Sequence, residues 1–142
     1  MNKVITFIML CASTAYGNDV ARTIYNEARG EGELGMRAVA TVIYNRAARS
    51  PATSALGWNA VLVKVVSAPH QFGGYRPQLS AADLASLEYA LALQIANELE
   101  GRRFEPLGTW THFYNPALAS PRWGNSMEDV EVIGNHKFGR TR

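Results

Sequence analysis

Residues 25–35 read "YNEARGEGELG". Upstream of this stretch, Val20, Ile24 and Ala28 recur at four-residue spacing, the mark of one apolar helix face, and Asn18 or Asp19 stands where a cap belongs. Downstream, Met36, Val39, Ala40, Ile43 and Ala47 form a second stripe that starts near Glu33, a charge suited to a first helical turn. Between them Arg29-Gly30 reads as a helix end, and Gly30, Gly32 and Gly35 as residues that reverse the chain. The stretch therefore predicts two consecutive helices with Glu27 just before the break and Glu31 and Glu33 within it. Because Gly30 and Gly32 interrupt the helix, the four-residue spacing of Glu27 and Glu31 does not by itself put them on one face.

Working outward, Pro, Ser, Thr and Gly from Ser50 to Trp58 predict a loop, with Asn59 capping a short apolar helix through Val66. The run Ala68 to Pro77 predicts irregular structure. Ser80, with Asp83 three residues on, opens the longest helical pattern; its apolar residues Leu84, Leu87, Leu91 and Ile95 and the terminating Gly101 predict a central scaffold. Beyond Gly101 the pattern changes to aromatic and β-branched residues. Trp110 to Tyr114 predicts a strand, and Glu131-Val132-Ile133 and His136-Lys137-Phe138 predict two more around a tight turn at Gly134-Asn135. The expected class is α+β: a mainly helical core with a small antiparallel sheet toward the C-terminus.

The chain has 142 residues, 47% of them hydrophobic, enough for one domain with a real core. Its net charge is only +2 and its basic residues are scattered, which excludes a nucleic-acid-binding stripe. At the N-terminus Met1-Asn2-Lys3 is basic, Val4 to Ala12 apolar, and Ser13 to Gly17 small, the layout of a secretory signal cleaved after Ala15 or Gly17. The apolar run is short of the ~20 residues a spanning helix needs, so the expectation is a signal peptide, or a temporary signal anchor, over residues 1–17 and one domain over 18–142. Cys11, the only cysteine, lies in that segment, so neither a disulfide nor a cysteine nucleophile is expected in the exported domain.

Several chemistries find no support. His70, His112 and His136 lack ligand spacing, so no metal is expected. No Gly-x-Ser-x-Gly elbow is present, and the glycines after Glu27 neither follow a strand nor end in Gly-Lys-Ser/Thr, so no phosphate loop or cofactor is expected. Glycosidic cleavage needs a carboxyl group able to give a proton to the leaving oxygen, and a helix end beside an apolar sheet is a place where burial favours the protonated form. Glu27 fits that description; the alternative is a solvated surface charge near Arg29. In an alternating strand His112 and Tyr114 share one face, and Thr111 and Phe113 the other. One face is then available to stack on sugars, or else all these rings are core.

Four segments carry a resemblance: "ARTIYNEARGEGELGMRAVATVIYNRA" (Ala21–Ala47), "HQF" (His70–Phe72), "THFYNPALASPRW" (Thr111–Trp123) and "IGNHKF" (Ile133–Phe138). In order and spacing they resemble the bacterial and phage cell-wall hydrolases related to the spore cortex-lytic enzyme SleB and its relative CwlJ. The resemblance implies a lysozyme-like α+β domain that cuts peptidoglycan glycan strands between MurNAc and GlcNAc. It places the catalytic glutamate on Glu27 and implies a lytic transglycosylase, in which one carboxyl group acts first as acid and then as base. Glu31 becomes an orienting or second catalytic group, and Gln71, Phe72, His112, Tyr114, Asn115 and His136 candidates for the substrate cleft. A water-using muramidase and an inactive peptidoglycan-binding protein are the alternatives.

The signal-like N-terminus predicts export to the periplasm or cell wall (the host periplasm for a phage-encoded enzyme), with membrane contact only through the signal, and the chain is expected to act as a monomer. Where many relatives continue "HQF" with a serine and another aromatic, this chain has Gly73-Gly74-Tyr75, which sets its substrate loop apart.

Overall fold

A computed structural model describes residues 15–75 and 78–142; most of the expected signal segment, residues 1–14, lies outside the described residues. Helix α1 (Ala15–Ala28) buries Val20, Ala21, Ile24, Tyr25 and Ala28, the face that the four-residue repeat announces. It starts upstream of the expected caps. Asp19 lies inside it, paired with Arg22 at 3.0 Å and accepting the Thr23 hydroxyl on its carbonyl at 2.9 Å. The chain then reverses through Gly32, at φ 69°, a left-handed conformation that favours glycine. Helix α2 (Gly32–Ala48) buries Met36, Ala38, Val39, Ala40, Val42, Ile43 and Ala47, so it is apolar around much of its circumference. It packs against α1, α4 and α6.

Three expectations are corrected in the middle of the chain. A single helical turn, α3 (Thr53–Leu56), occupies the expected loop, and α4 (Trp58–Ser67) begins before Asn59, with Gly57 at φ 79° ahead of it instead of an Asn59 cap. The segment from Ala68 contains one 3-10 turn, Gly73–Tyr75. The long helix expected from Ser80 is two helices, α5 (Ala81–Leu84) and α6 (Leu87–Glu100).

Each of the last two has its own serine cap. Ser80 and Asp83 form a reciprocal capping box, and the Ser86 hydroxyl accepts the Tyr89 N–H. A serine satisfies free amides at a helix start but competes with the backbone in mid-helix, so Ser86 starts a helix where periodicity alone would continue one. The break also changes the buried face. Leu87 is 86% exposed, and Tyr89, Ala92, Ile95, Ala96 and Leu99 fill the core.

Arg37 of α2 reaches α6 with two bonds to Glu98, at 2.8 and 3.2 Å, and holds its carboxyl below the ordinary range. A partly buried pair of this kind contributes about 1 kcal/mol. The buried Trp58 indole N–H donates to the Leu99 carbonyl at 2.6 Å, tying α4 to the end of α6.

The sheet contains β1 (His112–Tyr114), β2 (Glu128–Ile133) and β3 (His136–Arg140), antiparallel in the order β1-β3-β2. The expected turn at Gly134-Asn135 joins β2 to β3, with Gly134 at φ 57° and Ile133 opposite His136. Trp110 and Thr111, expected in the first strand, precede it as buried residues; the Trp110 ring lies 5.3 Å from that of Phe138. Two neighbours on α2 hold this segment. Asn45 donates to the carbonyls of Gly108 and Trp110 at 2.9 and 2.8 Å, and Arg46 Nε to that of Thr111 at 2.7 Å. The result is the expected α+β class, a helical core with a small antiparallel sheet near the C-terminus. No helix among the described residues is long and apolar enough to cross a membrane.

Candidate active site

Glu27 is in the last turn of α1, half-buried beneath the Gly73–Tyr75 turn. Three side chains from the second half of α1 hold that turn. Arg22 Nε donates to the Tyr75 carbonyl at 3.0 Å, Asn26 Nδ2 to the Gly74 carbonyl at 2.9 Å, and Glu27 Oε1 accepts the Gly74 N–H at 2.6 Å. The approach is close enough to require glycine. A Cβ on Gly74 would stand 2.9 Å from Glu27 Cγ and 2.9 Å from the Thr23 carbonyl oxygen. Among the described residues nothing bonds to Glu27 Oε2. Arg29, the neighbour that a surface-charge reading would pair with Glu27, instead reaches Asp83 at 3.2 Å. The Tyr25 hydroxyl donates to the same Asp83 oxygen at 2.8 Å and, with Ser80, keeps that carboxyl below its ordinary range.

Glu31, just before α2, turns to the hairpin. Its Oε1 accepts the Asn135 N–H at 2.9 Å and its Oε2 lies 2.8 Å from His136 Nδ1, which must carry the proton because a carboxylate only accepts. Its side chain is 9% exposed. Two glycines make room for it: a Cβ on Gly35 would lie 2.5 Å from Glu31 Cβ, and one on Gly134 3.0 Å from Glu31 Cδ. Both oxygens of Glu31 are thus engaged, whereas among the described residues only one oxygen of Glu27 is.

The sheet divides the remaining candidates between two faces. Phe113 pairs with Phe138, and their rings, 5.4 Å apart, face the core with His136 at the edge of Phe113 and Phe72 at 6.0 Å. Opposite, His112 and Tyr114 both pack on Trp123, at 4.9 and 5.5 Å. The expected alternation is present, and it separates His136 from His112 and Tyr114. Burial, and secondarily the Arg46 charge, lowers the His112 pKa, so its ring stays neutral at neutral pH.

Three candidates have structural duties. Phe72, 5% exposed, packs beneath the Arg46 guanidinium, 5.0 Å from its ring, and so offers little surface to a sugar. Asn115 Oδ1 accepts the Ala117 N–H at 2.9 Å, closing a turn of its own after β1. Exposed Gln71 accepts from Arg46 at 2.9 Å. Sequence reasoning overlooked Asn26, Arg46, Gly74 and Trp123, although all but Gly74 lie in the quoted motifs. Asn26 and Arg46 looked like ordinary polar positions on helices, and only the folded chain shows what they reach. Among the described residues no three His, Cys, Asp or Glu side chains converge as a metal site would require.

Residues 30–139 match the cell wall hydrolase family, and the chain belongs to it. The matched span opens three residues after Glu27. Two solved structures share the fold. The catalytic domain of the germination-specific lytic transglycosylase SleB from Bacillus anthracis is 22% identical over 92% of this chain and 98% of that one, with a TM-score of 0.62. The catalytic domain of the Bacillus cereus SleB protein is 24% identical over 89% and 91%, with a TM-score of 0.59. No curated protein sequence matches the chain.

Proposed function

We propose that this cell wall hydrolase is a lytic transglycosylase that cleaves the MurNAc–GlcNAc bond of peptidoglycan, with Glu27 as its one acid and base. The observation that carries the reading is the asymmetry of Glu27: Oε1 is fixed by the Gly74 N–H, and among the described residues Oε2 has no hydrogen-bond partner. A proton on Oε2 passes to the glycosidic oxygen as the MurNAc C1–O bond breaks, and GlcNAc leaves with a hydroxyl group. The MurNAc C6 hydroxyl then attacks C1, its proton returns to Glu27, and a 1,6-anhydro ring closes with no water consumed.

Glu31 supports this over hydrolysis by a carboxylate pair, because Asn135 and His136 occupy both its oxygens. Its role is to position the hairpin. The signal-like N-terminus supports export to the periplasm or wall, and either a bacterial wall enzyme or a phage lysis enzyme fits.

Mass spectrometry of fragments released from peptidoglycan sacculi tests the reading. Wild type is expected to release anhydro-MurNAc ends, and folded Glu27→Gln to lose at least about 100-fold in rate, as expected for an essential general acid. Reducing ends would replace transglycosylation with hydrolysis. Binding to sacculi without any release would leave a peptidoglycan-binding protein.

A further inference from the structure

Arg46 is the unusual cation of the molecule. Its guanidinium is partly buried on the Phe72 ring, and two of its N–H groups are used, on the Thr111 carbonyl and on Gln71 Oε1. Arg22, Arg37 and Arg140, also partly buried, each have a carboxylate partner; among the described residues Arg46 has none. Burial without a counter-charge pulls its pKa down to about 10. Desolvated charges are normally paired.

A cavity of about 260 Å³ opens against this guanidinium, lined by Arg46, Ser50, Lys64, Val65, Ala68 and Gln71. Its two cations, serine hydroxyl and amide make a donor-rich wall, and no acidic side chain lines it. Gln71 is three residues before Gly74, so its Cα lies within ~11 Å of the Gly74 Cα at the limit of chain extension. Gln71 thus ties one side of the cavity, through three residues of chain, to the turn that holds Glu27. Val65 and Ala68 supply the aliphatic part of its lining.

We infer that this cavity is a carboxylate-binding subsite that receives the free carboxylate of a peptide stem carried by the glycan substrate. Arg46 and Lys64 supply the charge, Gln71 and Ser50 the orienting hydrogen bonds, and Val65 and Ala68 suit short side chains such as alanine. The source of the carboxylate rests on the peptidoglycan reading; the anion chemistry of the cavity does not.

Two experiments separate these claims. In the first, full-length protein is titrated with D-alanyl-D-alanine, with its C-terminal amide and with inorganic phosphate, followed by NMR of the Arg46 Nε–H and Gln71 side-chain signals. The dipeptide is expected to shift them and the amide to leave them in place. Lys64→Glu is expected to weaken the dipeptide about fivefold, the size of one exposed ion pair. No shift with the dipeptide, or an equal shift with the amide, overturns the subsite, and tighter binding of phosphate overturns the carboxylate assignment.

In the second, cleavage of peptide-bearing glycan strands is compared with cleavage of strands stripped of their stems. The kcat/KM ratio of bearing to stripped strands is expected to exceed one for wild type and to fall about fivefold in Lys64→Glu, with the change in KM. Equal ratios in the two proteins overturn the stem assignment. Failure to cleave either strand while the dipeptide still binds supports the anion site and overturns the transglycosylase reading. Lys64 is exposed, so its variant tests the proposal even if Arg46→Gln, which also removes the Thr111 contact, fails to fold.

Discussion

Gly74 shows how one missing side chain can set the position of another, here the proposed acid Glu27. Its N–H reaches Glu27 Oε1 only because nothing stands between the turn and α1; a Cβ would meet Glu27 Cγ and the Thr23 carbonyl at 2.9 Å, and that carbonyl, inside a helix, cannot move cheaply. Gly74→Ala is therefore expected to cost about 2 kcal/mol in urea unfolding, in the range of overpacking, and to lower kcat as the turn lifts from Glu27. Gly73 is the control. A Cβ there would lie 3.8 Å from Glu27 Oε1, an ordinary contact, so Gly73→Ala is expected to keep its stability. Equal effects of the two substitutions would remove the argument. The "EARG" stretch made Glu27 a legible candidate, but Gly74 stood out only as a departure in the substrate loop, because no periodicity marks a close backbone approach.

At the scale of elements, the site depends on three pieces meeting: the end of α1, the turn before α2, and the β2–β3 hairpin. Glu31 joins the last two across more than a hundred residues, through Asn135 and His136. Glu31→Ala leaves both donors without a partner and is expected to destabilise the fold by about 1–3 kcal/mol, measured by urea denaturation; Glu31→Gln is expected to recover part of that. A folded Glu31→Gln as inactive as Glu27→Gln would make Glu31 a second catalytic group. The helices on either side of this junction were readable because their stripes are regular. The α5–α6 break was not, since Ser86 could equally be an exposed helical residue until its hydroxyl is seen to accept the Tyr89 N–H.

For the whole molecule, the groups whose shifts fall in the acid range act in one direction. The folded chain holds His112 below its usual value of 6.5 by burial, and then by the Arg46 charge. Below that value the unfolded chain takes up a proton that the folded chain refuses, so stability falls as the pH drops through it. Glu98, held low mainly by Arg37, Asp83 by Tyr25 and Ser80, and Asp129 by Arg140 and Thr109 contribute at lower pH. Their stabilisation is present above the ordinary carboxylate values and is lost as the pH falls through their lowered ones. Urea midpoints are expected to decline from pH 7.5 to 5.5 and again below pH 4. In His112→Gln the first decline should shrink; if it does not, His112 is not its source.

By itself the sequence determined the helix–glycine–helix opening, the α+β class, the tight turn at Gly134-Asn135 and the alternation that puts His112 and Tyr114 opposite Phe113. These are local properties, set by side-chain period, caps and turn residues within a few positions of one another. Only the tertiary structure decided that Glu27 meets Gly74, that Glu31 is bound at both oxygens by the hairpin, and that Arg46 lies against a cavity without an acid. Those contacts join residues tens of positions apart, and they exist only once burial of the apolar stripes has brought the helices and the sheet together.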